Sequence, residues 1–428
     1  MSMNSNSSPR NDVRCFLSAL YLSVVWLTSE YSIPMYPFEN VPLYVFFSGV
    51  MLIVLKVEVI KYAILLFVFL ETYEVIKGIQ PDFSYTLKGF LGIFALSCIM
   101  STSWFSLKEI QKYSYEQIGK WLRIVLLTIF LSVFVHMILN IFDMADSVHE
   151  NFIFSITAYS GFFREPSHLA LGMAPYIFIL INYFSVFKKY IGNASIFIVA
   201  AIALLSPSAT LFSVLLAASV IALMIGGLNT RKGTSIRIGL GLFIIFPLFM
   251  YLTIAVPYIA DRILGVLSSD NMFLIEDRNY SALAFIKGKA MAEYAILHFP
   301  FGVAFLDMQV LASKVSINFV TDWIYDLNSK DGASILFKGI SELGILYVIF
   351  LIAASLRFFR EILTSHSGSF FVIVIMAFEF SFFSQFFRGT TYFAGAVAFG
   401  LSALIFGLLH SRPLQKERLP FRRHDIVT

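Results

Sequence analysis

Long apolar runs follow one another along almost the whole chain, and they constrain the fold more than any motif does. A helix that crosses a bilayer needs about 20 mostly apolar residues. Twelve such segments are readable in the 428 residues, at about 14–30, 40–56, 59–77, 86–106, 120–142, 166–187, 191–206, 208–228, 236–257, 335–356, 369–387 and 392–410. A soluble fold cannot hide that much apolar surface. Charged residues make up 14% of the chain and hydrophobic ones 58%, with mean hydropathy +0.80, whereas soluble domains carry roughly 25% charged residues. These values exclude a cytosolic enzyme, a secreted disulfide scaffold and a disordered chain. The 47 Phe and 20 Tyr suit lipid contact and interfacial belts. Cys15 and Cys98 both lie in apolar runs, so neither a disulfide framework nor a thiolate metal site is expected. A net charge of +4 gives no support for a nucleic-acid partner.

The expected fold is an all-α polytopic membrane bundle. Nine segments fall in residues 1–257, a long external loop in 258–334, three more segments in 335–410 and a basic tail in 411–428, together one integrated domain. The second and third segments form one apolar stretch interrupted by Lys56, Glu58 and Lys61. A tight turn there avoids charges at mid-membrane. The first segment follows Arg10 and Arg14 like a signal-peptide core. Ser29-Glu30-Tyr31 is a poor cleavage site, so the segment is expected to be retained. With the N-terminus in the cytoplasm, 20 of the 31 Lys and Arg fall on that side and 11 outside. Six of those 11 lie in the loop 258–334, which leaves 20 against 5 among the short connections. This is the bias the positive-inside rule requires, and it returns the basic tail to the cytoplasm. Within the long loop, residues 280–298 have helical apolar spacing and end at Phe299-Pro300-Phe301-Gly302, which predicts an amphipathic helix on the outer face.

The external side collects unusual charges. In Gly161-Phe162-Phe163-Arg164-Glu165-Pro166-Ser167-His168, Pro166 suits the first helical position and pushes Glu165 out of the helix. Free backbone N–H groups and the positive helix end then face an anion beside Arg164, Glu165 and His168. The same residues also fit an interfacial anchor. Arg388, in the turn Phe387-Arg388-Gly389-Thr390-Thr391-Tyr392-Phe393, stands against the positive-inside rule. Taken alone it fits a snorkelling arginine, with Tyr392 in an aromatic belt. Asp261-Arg262 and Asp277-Arg278 lie in the long loop. An arginine fork suits phosphate oxygens, although a solvated loop charge has the same appearance. His136 and Asn140 read as helix–helix hydrogen-bonding groups. Glu379 reads as a residue facing the bundle, and His149 and His298 as ordinary loop residues. No Asp-x-Asp pair, His-Glu-x-x-His, Walker loop or cysteine cluster occurs, so the sequence offers no site for a metal-dependent transferase or an ATP-driven pump.

At these residues the sequence resembles the O-antigen polymerase (Wzy) family, within the wider polymerase and ligase superfamily of integral membrane glycosyltransferases. The matching pieces are Phe163-Arg164-Glu165-Pro166-Ser167-His168-Leu169-Ala170, Ser206-Pro207-Ser208-Ala209-Thr210, Arg278, Phe299-Pro300-Phe301-Gly302, Glu342-Leu343-Gly344 and the Arg388 turn. They cover about 160–395, while the first five segments match in hydropathy only. The resemblance implies a multi-span glycosyltransferase of the bacterial inner membrane with a periplasmic site. A growing glycan would leave undecaprenyl diphosphate for the sugar of an incoming lipid-linked repeat unit. Implied partners are the lipid-linked donor and acceptor, the bilayer, a chain-length regulator and a flippase, with no cofactor. Ligases carry a histidine ahead of the span after the long loop, where this chain reads Lys330-Asp331-Gly332-Ala333-Ser334. They also tend to carry an arginine where it has Ser206-Pro207-Ser208. Both departures favour a polymerase. Many relatives read Arg-Gly-x-Gly-Tyr in the aromatic turn, and Thr391 replaces that second glycine here.

In chemical terms, Arg164, Arg278 and Arg388, with Arg262, are the candidates to neutralise a leaving diphosphate, and Tyr392 joins them in binding substrate. Glu165 or His168 is the candidate base, with Glu165 slightly preferred. Arg164 would keep that carboxylate ionised but lower its basicity. Direct displacement would invert the anomeric centre. A ligase and a flippase moving the lipid-linked sugar remain the alternatives.

Overall fold

The computed structural model describes residues 9–27, 32–35, 38–55, 57–78, 86–142, 149–151, 156–161, 163, 165–183, 189–206, 208–228, 280–315, 334–364, 370–386, 392 and 395–410. The described chain is mostly helical. In order, the helices are α1 (Pro9–Leu27), α2 (Leu43–Leu55), α3 (Val57–Lys77), α4 (Leu87–Ile110), α5 (Tyr115–Ile141), α6 (Pro166–Asn182), α7 (Ala194–Leu205), α8 (Ala209–Leu228), α9 (Tyr280–His298), α10 (Ile335–Thr364), α11 (Phe370–Ser384) and α12 (Gly395–His410). Helices thus overlie eleven of the twelve apolar segments, and the segment 236–257 lies outside the described residues. Three of them, Leu87–Ile110, Tyr115–Ile141 and Ile335–Ile362, are long and apolar enough to cross a membrane. Their outward faces are strongly apolar. Ile124 on α5 is 64% exposed and Ile352 on α10 is 56% exposed. Such surface belongs against lipid rather than water.

Several expectations change in detail. Glu58 and Lys61, expected in the turn, lie inside α3, which begins at Val57, while Lys56 lies outside the described residues. The sixth segment stops at Asn182, short of 187, and the seventh is a helix of 12 residues. The tenth runs to Thr364, beyond the expected 356, because Arg357 is not a loop cation. It is buried and paired with Glu379 of α11, so the charge stays inside the helical bundle. The bundle also carries two small antiparallel hairpins that an all-α reading omits. One pairs β1 (Ser32–Met35) with β2 (Phe38–Pro42), and the other pairs β3 (His149–Asn151) with β4 (Ile156–Ala158). Both are short connections between antiparallel helices, where pairing satisfies backbone groups locally.

The helices start and stop where their sequences direct. Thr86 caps α4 by accepting from Gly89 N at 3.2 Å. Ser114 and Gln117 form a capping box at α5. Pro166 occupies the first position of α6. In the core, Trp26 of α1 stacks on Tyr176 of α6 with ring centroids 5.3 Å apart, and meets Phe378 of α11 edge-on at 5.0 Å. The Tyr176 hydroxyl donates to Leu122 O of α5 at 2.7 Å, so this large buried aromatic leaves no orphaned polar group.

Alternate helix ends meet at one end of the bundle. Trp26 Nε1, beside the end of α1, donates to Gly172 O in the second turn of α6 (3.0 Å). Ser381 Oγ, in the last turn of α11, donates to Leu171 O of α6 (3.3 Å). Ser334 Oγ, just before α10, donates to Phe386 O, just after α11 (2.8 Å). Tyr159 N donates to Leu205 O at the end of α7 (3.1 Å). At the opposite end, Cys15 Sγ near the start of α1 donates to Glu109 O near the end of α4 (3.3 Å), and Tyr190 packs on Phe370 at the start of α11 (4.8 Å). This is the up-and-down arrangement that short connections demand.

Candidate functional site

The first part of the site is the start of α6. Glu165 is extended (φ −140°, ψ 154°), and its carbonyl accepts from His168 N (3.0 Å) and Leu169 N (3.1 Å), which opens the helix. Its carboxylate makes no bond to the helix backbone. Oε2 instead accepts from Ser167 Oγ at 3.0 Å. His168 lies in the same first turn and is half-buried. The chain reaches this turn through a tight loop in which Phe163 N donates to Ser160 O (3.0 Å) and Gly161 has φ +62°. The buried Phe163 ring then lies on Gly172 of α6. The end of α7 adjoins the loop through the Tyr159–Leu205 bond, and Ser208 Oγ caps α8 by accepting from Leu211 N (3.1 Å). A carboxylate and an imidazole thus share one helix N-terminus, whose backbone donors favour an anion.

The second part is a buried polar cluster around a break in α10. Gly344 has φ +53° and ψ −134°, so residues 335–343 form one short helical piece and 345–364 another. The loop Phe299-Pro300-Phe301-Gly302 docks into the break. Val303 N donates to Ser341 O (2.8 Å), and Ile345 N donates to Pro300 O (2.8 Å). The end of α3 clamps the 335–343 piece to this loop. Tyr73 OH reaches Leu343 O (2.7 Å) and Phe301 O (3.0 Å), and Lys77 Nζ donates to Glu342 O (2.6 Å) and Val303 O (3.0 Å). Lys77 also pairs with Glu74, whose other oxygen accepts from Phe305 N at 3.2 Å. Lys338 Nζ lies 3.2 Å from Glu342 Oε1 and 5.9 Å from the centre of the Tyr392 ring. Phe305 stacks on the Tyr392 ring with centroids 5.1 Å apart, and Tyr392 is 2% exposed. Beside this loop, burial raises the Asp307 carboxyl above the ordinary carboxylate range, and the Lys88 ammonium offsets part of the rise.

Of the residues expected at the site, Glu165, His168 and Tyr392 are described. Arg164, Arg262, Arg278 and Arg388 lie outside the described residues. The helix ends that flank Arg164 and Arg388 are neighbours, because the Ser381–Leu171 bond joins the last turn of α11 to the start of α6. Two motifs that are far apart in sequence, Phe299-Pro300-Phe301-Gly302 and Glu342-Leu343-Gly344, meet directly. Sequence reasoning missed Tyr73, Glu74 and Lys77. The available signal was a Glu and a Lys one helical turn apart at the end of an apolar run, where an interfacial position would explain them equally well. It also missed that His136 bonds a loop, Nδ1 accepting from Ser160 N (3.3 Å) and Gly161 N (3.2 Å). Glu379 faces the bundle as expected. His298 is the last residue of α9, with Nδ1 3.0 Å from Tyr294 O, and His149 lies in β3. No protein-family model matches this sequence, and no curated protein matches it.

Proposed function

We propose that this chain is an integral membrane glycosyltransferase that polymerises lipid-linked repeat units of a bacterial surface polysaccharide. Residues 9–410 form about twelve spans of the inner membrane, and the end carrying Glu165 and His168 faces the periplasm. The observation that carries the reading is a convergence. The start of α6, with its carboxylate and imidazole, adjoins the end of α11, which leads into Arg388. The described stretches of the motifs that resemble the polymerase family, at 165–170, 299–302 and 342–344, belong to this same end. Two of its lysines are already matched by carboxylates, Lys77 by Glu74 and Lys338 by Glu342. Among the remaining cations, arginine offers the planar fork that fits diphosphate oxygens.

In this reading Glu165, or His168 in its place, takes the proton from a sugar hydroxyl of the acceptor. The oxygen attacks the anomeric carbon of the donor glycan. The bond to the lipid diphosphate breaks with inversion, and Arg164, Arg278, Arg388 and Arg262 stabilise the departing charge. Tyr392, stacked on Phe305 of the 299–306 loop, joins the arginines in binding the substrate. The lipid tails enter between helices, which keeps both head groups at one interface. A chain-length regulator and a flippase are the partners such a reaction requires.

Deletion of the gene in cells that make the glycan tests the proposal. The expected outcome is surface glycan shortened to a single repeat unit. Loss of all joining to the lipid core indicates a ligase instead, and accumulation of lipid-linked units on the cytoplasmic face indicates a flippase.

A further inference from the structure

We propose that His136 is a positioning residue for this site: as a neutral imidazole carrying its proton on Nε2, it anchors the 159–163 loop and thereby sets the place of Glu165. The inference rests on the polymerase reading for its consequence, though not for its geometry. His136 lies in the last turns of α5, where Nδ1 accepts from two consecutive backbone donors, Ser160 N at 3.3 Å and Gly161 N at 3.2 Å. A backbone N–H can only donate, so Nδ1 must present its lone pair, and the ring proton belongs on Nε2. An imidazolium would point an N–H at both donors.

The loop has little freedom to find another seat. Gly161 at φ +62° lies so close to α5 that a Cβ there would meet Ser132 Oγ and come within 2.9 Å of Val133 N. Tyr159 N is tied to Leu205 O at 3.1 Å, and the Tyr159 ring meets the imidazole edge-on at 5.9 Å. Phe163 N closes the turn on Ser160 O at 3.0 Å, directly before the segment that opens α6. Removing the acceptor releases two adjacent N–H groups at the base of this turn, and the displacement passes to Glu165.

The test compares His136→Asn with His136→Leu in the full chain, purified in lipid nanodiscs. The Asn carbonyl oxygen can replace Nδ1 as acceptor, whereas Leu fills a similar volume and accepts nothing. Two readouts are taken: amide hydrogen exchange of the peptide spanning Ser160 and Gly161, and polymer formation from lipid-linked repeat units. The proposal expects His136→Asn to keep the amides protected and activity close to wild type. It expects His136→Leu to lose protection and about 10- to 100-fold in kcat, the scale of a small misplacement of a catalytic group, with KM for the lipid-linked unit nearly unchanged. It is overturned if His136→Leu retains both protection and polymer formation, or if His136→Asn fails as His136→Leu does. If wild-type protein exchanges as expected but makes no polymer, the polymerase reading fails by itself, and the contrast between Asn and Leu still decides the anchor.

Discussion

Glu165 and His168 occupy one turn of one helix, yet they differ in what they can do. The Glu165 carboxylate accepts from Ser167 Oγ rather than capping the backbone of α6, whereas His168 presents an imidazole from inside the first turn. If Glu165 is the base, Glu165→Gln abolishes polymer while the protein stays folded and inserted, since Gln has nearly the same shape. His168→Gln then loses activity only in part. A base step contributes about 10²–10⁴-fold, so single-turnover rates that fall by less than tenfold in both variants would exclude either residue as the base. The polar cluster makes a different kind of prediction. Lys77 is fully buried, pairs with Glu74 and bridges two carbonyls, so Lys77→Met leaves a buried carboxylate without its cation, although Phe305 N still donates to it. Breaking a buried pair on one side costs about 3–5 kcal/mol. Thermal unfolding in detergent is expected to show a large drop for Lys77→Met, with much of it recovered in the Glu74→Gln/Lys77→Met double variant. A double variant no more stable than the single one would mean that the pair is not the source of the loss.

Among the elements, α10 shows most clearly how local conformation shapes the site. Gly344 combines φ +53° with ψ −134°, a region that side chains other than glycine essentially do not enter. A Cβ there would also collide with Pro300 O and the backbone of Phe301 and Gly302. Gly344→Ala is therefore expected to displace the 299–306 loop. Limited proteolysis near Gly302 should speed up, and the unfolding temperature should fall. Unchanged cleavage would show that α10 can straighten without cost. Much of the element plan is legible in the sequence, because hydropathy and proline chemistry act locally. The start of α6 at Pro166 and the loop helix over 280–298 follow from a few adjacent residues. The break at Gly344 does not, because a single glycine in an apolar run fits a continuous helix equally well. What forces the break is a loop some forty residues earlier in the chain, clamped by Lys77 from a helix still farther away. The same holds for His136, whose partners are backbone amides and carry no residue-type signal.

At the scale of the whole molecule, the helix ends alternate. The connections that carry Glu165, the 299–306 loop, Tyr392 and the end of α11 all converge at one end of the bundle, while Tyr115, Tyr190 and Phe370 mark the other. That polarity is compatible with the lysine and arginine bias of the short connections. It also suits a reaction whose two substrates both hang from lipid and meet at one interface. The central claim is that this end joins one lipid-linked glycan to another. The most direct measurement is a cell-free reaction containing only the purified chain and lipid-linked repeat units, resolved by size. The account predicts a ladder of polymer without any lipid core acceptor, and loss of that ladder on Arg164→Ala or Arg388→Ala in protein that remains folded. Unchanged monomeric repeat units with folded wild-type protein, or an undiminished ladder from both arginine variants, would contradict it.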